Sequence, residues 1–407
     1  MGNTTSENKR VRHLHLRTSS DALQILKKIN VDPYGIEAML PKMAHCNLLL
    51  EGIKCNVANI IKQEMLSLGG DAAVSRSSVS CSVKETDVVI MGTAKQLQRF
   101  ADKLSFQPLG LKAISMAIKQ LLANIAKDIL ILKTCRREMV LGDRTHIMGI
   151  LNVTPDSFSD GGMFNSPEGA VQYGIQMVEE GADIIDVGGE SSRPGAELVT
   201  VQEEVARVIP VIKGLAGHVN VPISIDTTKA EVAQAAIECG SEIVNDIGSM
   251  RLDGDMAHVI KKSGAAVVLM HMRGTPRDMQ TGDLSYTSLL GEIIEFLGNT
   301  IDHALTAGIS EESIVIDPGI GFGKTGEDNL KILKNLSEFK VLGRPILIGV
   351  SRKAFIGKIT GGTPLERTEG TAAAVTASIV NGANIVRVHD VKAMKKVVVV
   401  ADAIIRA

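Results

Sequence analysis

A regular alternation of short apolar runs and helical segments restricts the fold of this chain more than any other feature. The runs are bounded by turn-forming residues and span residues 146–153, 183–188, 221–226, 242–247, 265–271, 314–317, 345–350 and 384–389. Amphipathic segments lie between them, for instance at 167–180, 201–213, 230–238 and 371–380. Eight buried strands alternating with helices over about 260 residues predict an α/β fold, the (β/α)8 TIM barrel. A doubly wound open sheet is the alternative, and the count of eight favours closure.

The first part of the chain has a different pattern. Strand-like runs at residues 11–16, 46–50 and 87–91 are mixed with helical patterns at 21–28, 36–44, 56–68 and 94–104. We therefore predict a small α+β N-terminal domain over residues 1–137 and the barrel over residues 138–407. A long amphipathic helix is predicted at 111–132, with an apolar face that packs within the chain or in a dimer. The polar residues of this domain form no arrangement that indicates a chemistry, so its role stays open.

Charge and composition exclude several classes of protein. The 407 residues include 44 Lys+Arg and 46 Asp+Glu, a net charge of -2 that disfavours nucleic acid as the principal partner. Aromatic residues make up only 3%, which argues against a surface that stacks single-stranded bases. The five cysteines are scattered without metal-ligand spacing. We therefore expect reduced thiols, no structural zinc and a cytoplasmic location.

No segment is predicted to enter a membrane. The most apolar helix candidate, residues 111–132, is interrupted by three lysines and an aspartate. A membrane span needs about 20 nearly uninterrupted apolar residues. The N-terminus is polar and lacks the apolar core of a signal peptide. Gly2 and Ser6 match the loose pattern for N-myristoylation, but such short matches are mostly accidental.

Polar residues end all eight apolar runs of the predicted barrel. They are Asn152, Asp186 with Glu190, Asp226, Asn245 with Asp246, His271, Asp317, Ser351 with Lys353, and Arg387 with His389. The carboxyl ends of barrel strands form the active face of this fold. A desolvated polar group costs about 1–3 kcal/mol when it is unpaired, so eight such ends indicate a polar pocket better than isolated core groups bonded to backbone.

The residue types at these ends restrict the ligand. Carboxylate and amide acceptors suit a flat heterocycle with amino and ring N–H donors, and they are supplied by Asp226, Asn245 and Asp317. Groups that are cationic, or that become cationic on protonation near neutral pH, suit an anionic leaving group or a carboxylate. They are supplied by Lys353, Arg387, His389 and Arg193. The long, turn-rich loop at 152–162 is consistent with a lid that excludes water. Asn152 and neighbouring aspartates could bind a hard cation such as Mg²⁺ through oxygen ligands.

The segments that contain these residues resemble the successive signatures of the dihydropteroate synthase family. In chain order they read IMGILNVTPDSFSDGG, DIIDVGGESSRPGA, SIDTTKAEV, EIVNDIGSM, LMHMRGTP, IDPGIGFGK, GVSRKAFIG and IVRVHDV. They cover essentially all of residues 138–407. The resemblance implies a transferase that joins 4-aminobenzoate to the pterin of 6-hydroxymethyl-7,8-dihydropterin diphosphate. The products are 7,8-dihydropteroate, an intermediate of folate biosynthesis, and pyrophosphate.

The resemblance also implies roles for individual residues. Contacts with the pterin and its diphosphate are implied for Asp226, Asn245, Asp317, Lys353, Arg387 and His389. Contacts with 4-aminobenzoate are implied for Phe158, Ser192, Arg193, Pro194, Phe322 and Ser351. Asn152 matches the contact with Mg²⁺ and diphosphate, and the residues closest to the chemistry are Lys353, Asp317, Arg387, His389 and Asp160. The family further implies a homodimer.

One position departs from the family pattern. Ser192 stands where the family commonly has threonine, so the hydroxyl is kept and a methyl group is lost.

Two other functions are alternatives to the synthase. A pterin-dependent methyltransferase domain acting with a corrinoid protein would share the barrel, but it does not need the Ser-Arg-Pro loop or the Arg-Val-His pair. A non-catalytic pterin-binding regulator would be expected to lose Arg193, Lys353 or Arg387, and all three are present.

Overall fold

The computed structural model describes residues 11–14, 16, 18–78, 80–154, 166–191 and 199–407. The chain divides into two compact units, Met1–Ala126 and Lys127–Ala407. Within the described ranges, no helix has the length and apolar character needed to span a membrane.

The first unit combines an antiparallel sheet with helices, as predicted. Its elements are α1 (Ser19–Lys28), α2 (Pro33–Met43), β1 (His45–Lys54), α3 (Cys55–Ser67), β2 (Asp71–Val74), β3 (Glu85–Thr93), α4 (Ala94–Leu104) and α5 (Leu111–Ile125). Strand β3 lies between β1 and β2 and pairs antiparallel with both. Thr18 and Thr93 start α1 and α4 with reciprocal capping bonds, which satisfy backbone N–H groups that a helix start leaves unpaired.

Two local predictions for this part of the chain were wrong. Residues 11–14 and 16 belong to no strand, and Val11 is 94% exposed. The helix that begins at Leu111 ends at Ile125, short of residue 132. Residues 130–133 instead form a strand, in which Leu132 is fully buried.

The second unit contains an eight-stranded parallel sheet. Its strands are β6 (His146–Asn152), β7 (Ile184–Gly188), β8 (Ile223–Asp226), β9 (Ile243–Asp246), β10 (Ala266–Met270), β11 (Ile314–Asp317), β12 (Leu347–Ile348) and β13 (Ile385–Val388). They are ordered β11-β10-β9-β8-β7-β6-β13-β12, and a parallel bridge between Ile316 and Ile346 joins the two outer strands. The sheet therefore closes, and the predicted (β/α)8 barrel is confirmed.

Helices follow the strands around the outside of the sheet. They are α6 (Pro167–Glu179), α7 (Val201–Ala216), α8 (Ala230–Cys239), α9 (Met256–Ser263), α10 (Leu289–Thr306), α11 (Gly326–Lys334), α12 (Ala354–Thr360), α13 (Thr368–Val380) and α14 (Val391–Arg406). Ser166 accepts a hydrogen bond from the backbone N–H of Gly169, and Pro167 occupies the first turn of α6. This is the helix start that the Ser-Pro pair predicts. The buried faces of strands and helices form one apolar cluster.

A hairpin precedes the barrel and explains where the two units divide. Strands β4 (Leu130–Lys133) and β5 (Glu138–Leu141) pair antiparallel. The hairpin's Leu132 and Leu141 pack in one buried cluster with residues such as Ile184, Ile243 and Ile385, each the first residue of a barrel strand. The hairpin therefore covers the amino-terminal end of the barrel. The predicted boundary lies between residues 137 and 138, whereas the compact unit begins at Lys127 because the hairpin packs with the barrel core.

Candidate active site

An arginine between two aspartates forms the centre of the polar pocket at the carboxyl ends of the strands. Arg387, on β13, donates from Nε to Oδ2 of Asp186 and from Nη2 to Oδ2 of Asp226, each over 2.6 Å. Asn245, on β9, donates its amide to the same oxygen of Asp186 over 3.0 Å. Three strands besides β13 thus deliver polar side chains to one charge cluster, because parallel strand ends meet at one edge of the barrel.

The two aspartates of this cluster have different environments. Asp186 is fully buried, and its Oδ1 has no hydrogen-bond partner among the described residues. Burial raises the pKa of Asp226 from 3.8 to about 7, although Arg387 lowers it, and the charge of Asp186 adds to the rise. The pKa of Asp226 is thus raised even though a guanidinium bonds to the carboxylate, which marks Asp226 as a candidate ligand-binding group.

Asp317 and Lys353 are two further charged residues of the pocket, and each influences the pKa of the other through its charge. Asp317 ends β11, is 7% exposed, and accepts a 2.7 Å hydrogen bond from the backbone of Gly319. Burial raises the pKa of Asp317, against the attraction of Lys353. Lys353 immediately precedes α12, and burial lowers the pKa of its ammonium group to about 8, against the attraction of Asp317. A lysine of this kind remains a cationic donor at pH 7 but gives up its proton more easily than a surface lysine.

Phe322 places an aromatic ring beside that lysine. The Nζ atom of Lys353 lies 4.3 Å from the centre of the Phe322 ring, within range of a cation–π interaction. Phe322 is 9% exposed and belongs to an apolar cluster with Ile247, Met270, Met272 and Met279. An apolar wall with a cation at its edge can bind an aryl ring that also carries a negative charge.

His389 and Ser351 are brought together just beyond their strands. The Oγ atom of Ser351 lies 3.0 Å from Nδ1 of His389 and accepts a 3.2 Å hydrogen bond from the His389 backbone. Ser351 is 6% exposed. Its hydroxyl therefore fixes the orientation of the imidazole ring, and its predicted contact with 4-aminobenzoate stays a prediction.

Asn152 lies at the carboxyl end of β6 and is exposed. It pairs in register with Gly188 of β7, and a Cβ atom on Gly188 would lie 3.7 Å from the Asn152 amide oxygen. Within the described ranges, no three His, Cys, Asp or Glu side chains are grouped so that they could bind a metal ion. Five predicted site residues lie outside the described residues: Phe158, Asp160, Ser192, Arg193 and Pro194.

The structure adds a buried lysine that sequence reasoning missed. Lys324 is 2% exposed, and its Nζ atom contacts Nδ1 of His271 at 2.7 Å, the Phe322 carbonyl at 3.0 Å and the His271 carbonyl at 3.3 Å. Burial lowers the pKa of Lys324 to about 7, and burial together with the nearby cations lowers that of His271 to about 2. His271 is therefore neutral, and its Nδ1 accepts a hydrogen bond from the Lys324 amine. In the sequence, His271 is marked only by its position at a strand end.

The sequence does carry one sign of the contact between this loop and His271, namely a repeated glycine in the same loop. Gly319, Gly321 and Gly323 all have positive φ, at 72°, 81° and 67°. A Cβ atom on Gly319 would lie 2.0 Å from the His271 carbonyl oxygen, so only glycine permits this approach. The alternating glycines of IDPGIGFGK thus mark a loop that lies directly against the end of β10.

Asp246, at the end of β9, shapes its loop rather than facing a ligand. Its carboxylate accepts hydrogen bonds from the backbone of Gly248 at 2.7 Å and Met250 at 2.5 Å. Ser249 and Met250 adopt positive φ values of 54° and 60°, which these bonds help to hold. Burial raises the pKa of Asp246 to about 6.

The fold and this pocket define a pterin-binding enzyme, and known proteins agree. A model of the family described as "Pterin binding enzyme" matches residues 148–389. A dihydropteroate synthase of Synechocystis sp. is 49% identical over 266 residues, which cover 65% of this chain and 92% of the relative. A solved structure of Xanthomonas albilineans dihydropteroate synthase with 4-aminobenzoic acid matches with a TM-score of 0.63 and 42% identity, covering 68% of this chain and 98% of that one. The chain belongs to the dihydropteroate synthase family, whose members are transferases.

Some relatives match nearly the whole chain and therefore also the first unit. A probable bifunctional folylpolyglutamate synthase/dihydropteroate synthase of Halobacterium salinarum is 38% identical over 383 residues. That match covers 94% of this chain and 46% of the relative. The predicted family is thus confirmed, and neither the corrinoid-linked methyltransferase nor the non-catalytic regulator is supported by these matches.

Proposed function

We propose that the barrel condenses 6-hydroxymethyl-7,8-dihydropterin diphosphate with 4-aminobenzoate to form 7,8-dihydropteroate and pyrophosphate. The observation that carries this proposal is the bridge from Arg387 to Asp186 and Asp226, with Asn245 beside it. It assembles carboxylate and amide acceptors around a fixed cation in a buried pocket. This is the complement of a flat heterocycle whose edge presents several N–H donors.

The pterin is held by this acceptor wall. Asp226 and Asn245 accept from the ring edge, and Asp317 accepts from the amino and N–H groups on the other side of the ring. Because the pKa of Asp226 is raised to about 7, its carboxyl can adjust its protonation to the tautomer of the bound ring. Lys353 donates to the ring and supplies a charge that balances Asp317.

The departing pyrophosphate is stabilised by cations at the mouth of the barrel. Arg387 is the fixed guanidinium of the pocket, and the Ser351 hydroxyl orients the His389 ring near the same strand end. Arginine and imidazolium groups stabilise charge that develops on phosphate oxygens. The bond from the pterin methylene to oxygen breaks first, and the amine of 4-aminobenzoate then attacks the cationic carbon and loses a proton.

Mg²⁺ is proposed as the metal, with Asn152 as a protein ligand. Mg²⁺ usually keeps several waters and binds through one or two protein oxygens together with substrate phosphates. The single amide oxygen of Asn152, without a carboxylate cluster among the described residues, fits this mode. The ion would neutralise charge on the leaving diphosphate.

The aminobenzoate is placed beside the Phe322 ring, whose face is in contact with the Lys353 ammonium group. Phe158, Asp160, Ser192, Arg193 and Pro194 are proposed to complete this side of the site. Excluding water there would keep the pterin cation from being trapped as an alcohol. We further propose a cytoplasmic homodimer whose ligands are these small molecules rather than nucleic acid or membrane.

An assay of pyrophosphate release on the full chain tests the proposal. Release should require the pterin diphosphate and 4-aminobenzoate together, and mass spectrometry should detect dihydropteroate in equal amount. Binding of the pterin without any release would support the non-catalytic regulator. Pyrophosphate release at the same rate with and without 4-aminobenzoate would contradict the proposed condensation.

A further inference from the structure

Two cysteines of the first unit lie in contact although 26 positions separate them in the sequence. The Sγ atoms of Cys55 and Cys81 are 2.8 Å apart, and both are free thiols. A disulfide bond is about 2.0 Å long, so a small movement would allow a covalent bond between them. Nothing in the barrel chemistry uses this pair.

The backbone holds both thiols in place. Cys55 is the first residue of α3, and its N–H donates to the carbonyl of Lys84 over 3.0 Å. Cys81 follows a short 3-10 turn, and its N–H donates to the carbonyl of Ser78 over 3.1 Å. Cys81 also adopts a φ of 47°, a conformation that residues other than glycine seldom adopt. The fold thus presents one thiol to the other.

The two sulfur atoms differ in exposure and in hydrogen bonding. Cys55 is 4% exposed, whereas Cys81 is exposed. The Cys81 sulfur lies within hydrogen-bond range of the Cys55 thiol at 2.8 Å and of the Asn59 amide at 3.7 Å. Both thiols also lie within range of the Ser78 carbonyl, at 2.8 Å for Cys55 and 3.5 Å for Cys81. The bond to Cys81, together with burial, raises the pKa of Cys55, which therefore remains a protonated thiol.

Such an arrangement has a defined chemistry. An exposed sulfur that accepts hydrogen bonds is the nucleophile, and a neighbouring protonated thiol is the group that resolves its first product. Both thiols also line one surface cavity with Lys54 and Lys84, through which a small oxidant can reach them.

We propose that Cys55 and Cys81 form an oxidation site for hydroperoxides. The Cys81 thiolate attacks the peroxide oxygen, the O–O bond breaks, and the leaving oxygen takes a proton to form an alcohol, or water in the case of hydrogen peroxide. Cys81 is then a sulfenic acid. The Cys55 sulfur attacks it, an S–S bond forms, and the sulfenic oxygen leaves as water with the thiol proton. Two thiols are oxidised and one peroxide is reduced.

The chain provides its own control for this reaction. Cys135 is also exposed, but it has no hydrogen bond to a second sulfur among the described residues, and burial is the main cause of its raised pKa. If peroxide oxidises exposed thiols without selectivity, Cys135 and Cys81 should react at the same rate. If Cys55 and Cys81 form a specific site, Cys81 should react first and form a disulfide with Cys55.

The experiment treats the full chain with one equivalent of hydrogen peroxide and then blocks the remaining thiols with iodoacetamide. Peptide mass spectrometry should find a Cys55–Cys81 disulfide, with Cys81 oxidised at least about tenfold faster than Cys135. In a parallel sample that is not treated with iodoacetamide, dithiothreitol should restore all five thiols. Equal rates at Cys81 and Cys135, or oxidation without the linked peptide, would overturn the proposal.

Two variants separate the roles of the thiols. In Cys55→Ser, dimedone should trap a sulfenic acid on Cys81, because the resolving thiol is missing. In Cys81→Ser, Cys55 should stay reduced at the same peroxide dose. The result on the unmodified chain decides the proposal even if a variant fails to fold.

Discussion

Nζ of Lys324 lies 2.7 Å from Nδ1 of His271, and the same amine also donates to the carbonyl of Phe322. Three acceptors therefore use the three N–H groups of one buried lysine. The contact ties the loop after β11 to the end of β10. Lys324 bonds to the backbone of Phe322, and the Phe322 ring lies 4.3 Å from Nζ of Lys353 in the pocket. Lys324 is therefore a positioning residue for the aromatic side of the pocket.

Replacing Lys324 by methionine tests this relationship. The loss of three hydrogen bonds should release Phe322, and we expect KM for 4-aminobenzoate to rise about tenfold, or about 1.4 kcal/mol. KM for the pterin diphosphate should change much less, and steady-state kinetics with each substrate varied would show the difference. Lys331→Met, on the exposed face of α11, is the matched control. Equal increases in both KM values would indicate a general loss of structure instead.

The pair Asp317 and Lys353 should be essential for turnover but not for folding. Lys353→Ala and Asp317→Ala should each lower turnover by two orders of magnitude or more, about 3 kcal/mol, because each removes a pterin contact and leaves the opposite charge in a buried site. Circular dichroism would check that the barrel remains folded. Near-normal turnover in either folded variant would refute the assignment.

Stability should depend on pH through Asp246. Burial raises the pKa of Asp246 from 3.8 to about 6, so between these values the folded protein binds a proton that the unfolded chain has released. The stabilisation is complete below pH 4 and is lost as the pH rises through 6. Asn in its place keeps one acceptor oxygen, for Gly248 or Met250, and loses the other hydrogen bond by the same amount at both pH values. From pH 4 to pH 7, Asp246→Asn should gain about 2 kcal/mol relative to the unmodified chain.

Denaturant unfolding at the two pH values measures this gain. If the difference between variant and unmodified protein is the same at pH 4 and pH 7, Asp246 does not titrate in this range.

Removal of divalent cations should suppress pyrophosphate release. A chelator should abolish most turnover and added Mg²⁺ should restore it, since the ion is proposed to neutralise the leaving diphosphate. Asn152→Ala should raise the Mg²⁺ concentration needed for half-maximal turnover without changing pterin binding in the absence of metal. Full activity in chelator would contradict a metal requirement.

The barrel could be predicted because its signal is local and repeated. Each strand is an apolar run that ends in a polar residue, and residues such as Asp186, Asp226 and Asn245 therefore identify the pocket before any contact is known. The pairing of the two aspartates with Arg387 could not be predicted, because Asp186 and Arg387 are 201 residues apart and meet only when the sheet closes.

Other features were missed for the same physical reason. Lys324 reads as an ordinary loop lysine until β10 and β11 bring it to His271, and Cys55 reads as an isolated thiol until the turn after β2 returns Cys81 to it. The boundary between the units differs from the prediction because Leu132 continues the apolar pattern of the preceding helix in the sequence. Only the packed amino-terminal end of the barrel shows which apolar surface Leu132 and Leu141 cover.

That hairpin also imposes an order on biosynthesis. Leu132 and Leu141 leave the ribosome before every barrel strand, yet their cluster includes Ile385, on the last strand to be made. The lower layer of the barrel core therefore cannot be completed until nearly the whole chain has been translated. Until then the apolar surfaces of Leu132 and Leu141 lack part of the cover that they have in the folded chain. A chaperone that binds this segment during synthesis would protect these surfaces from aggregation.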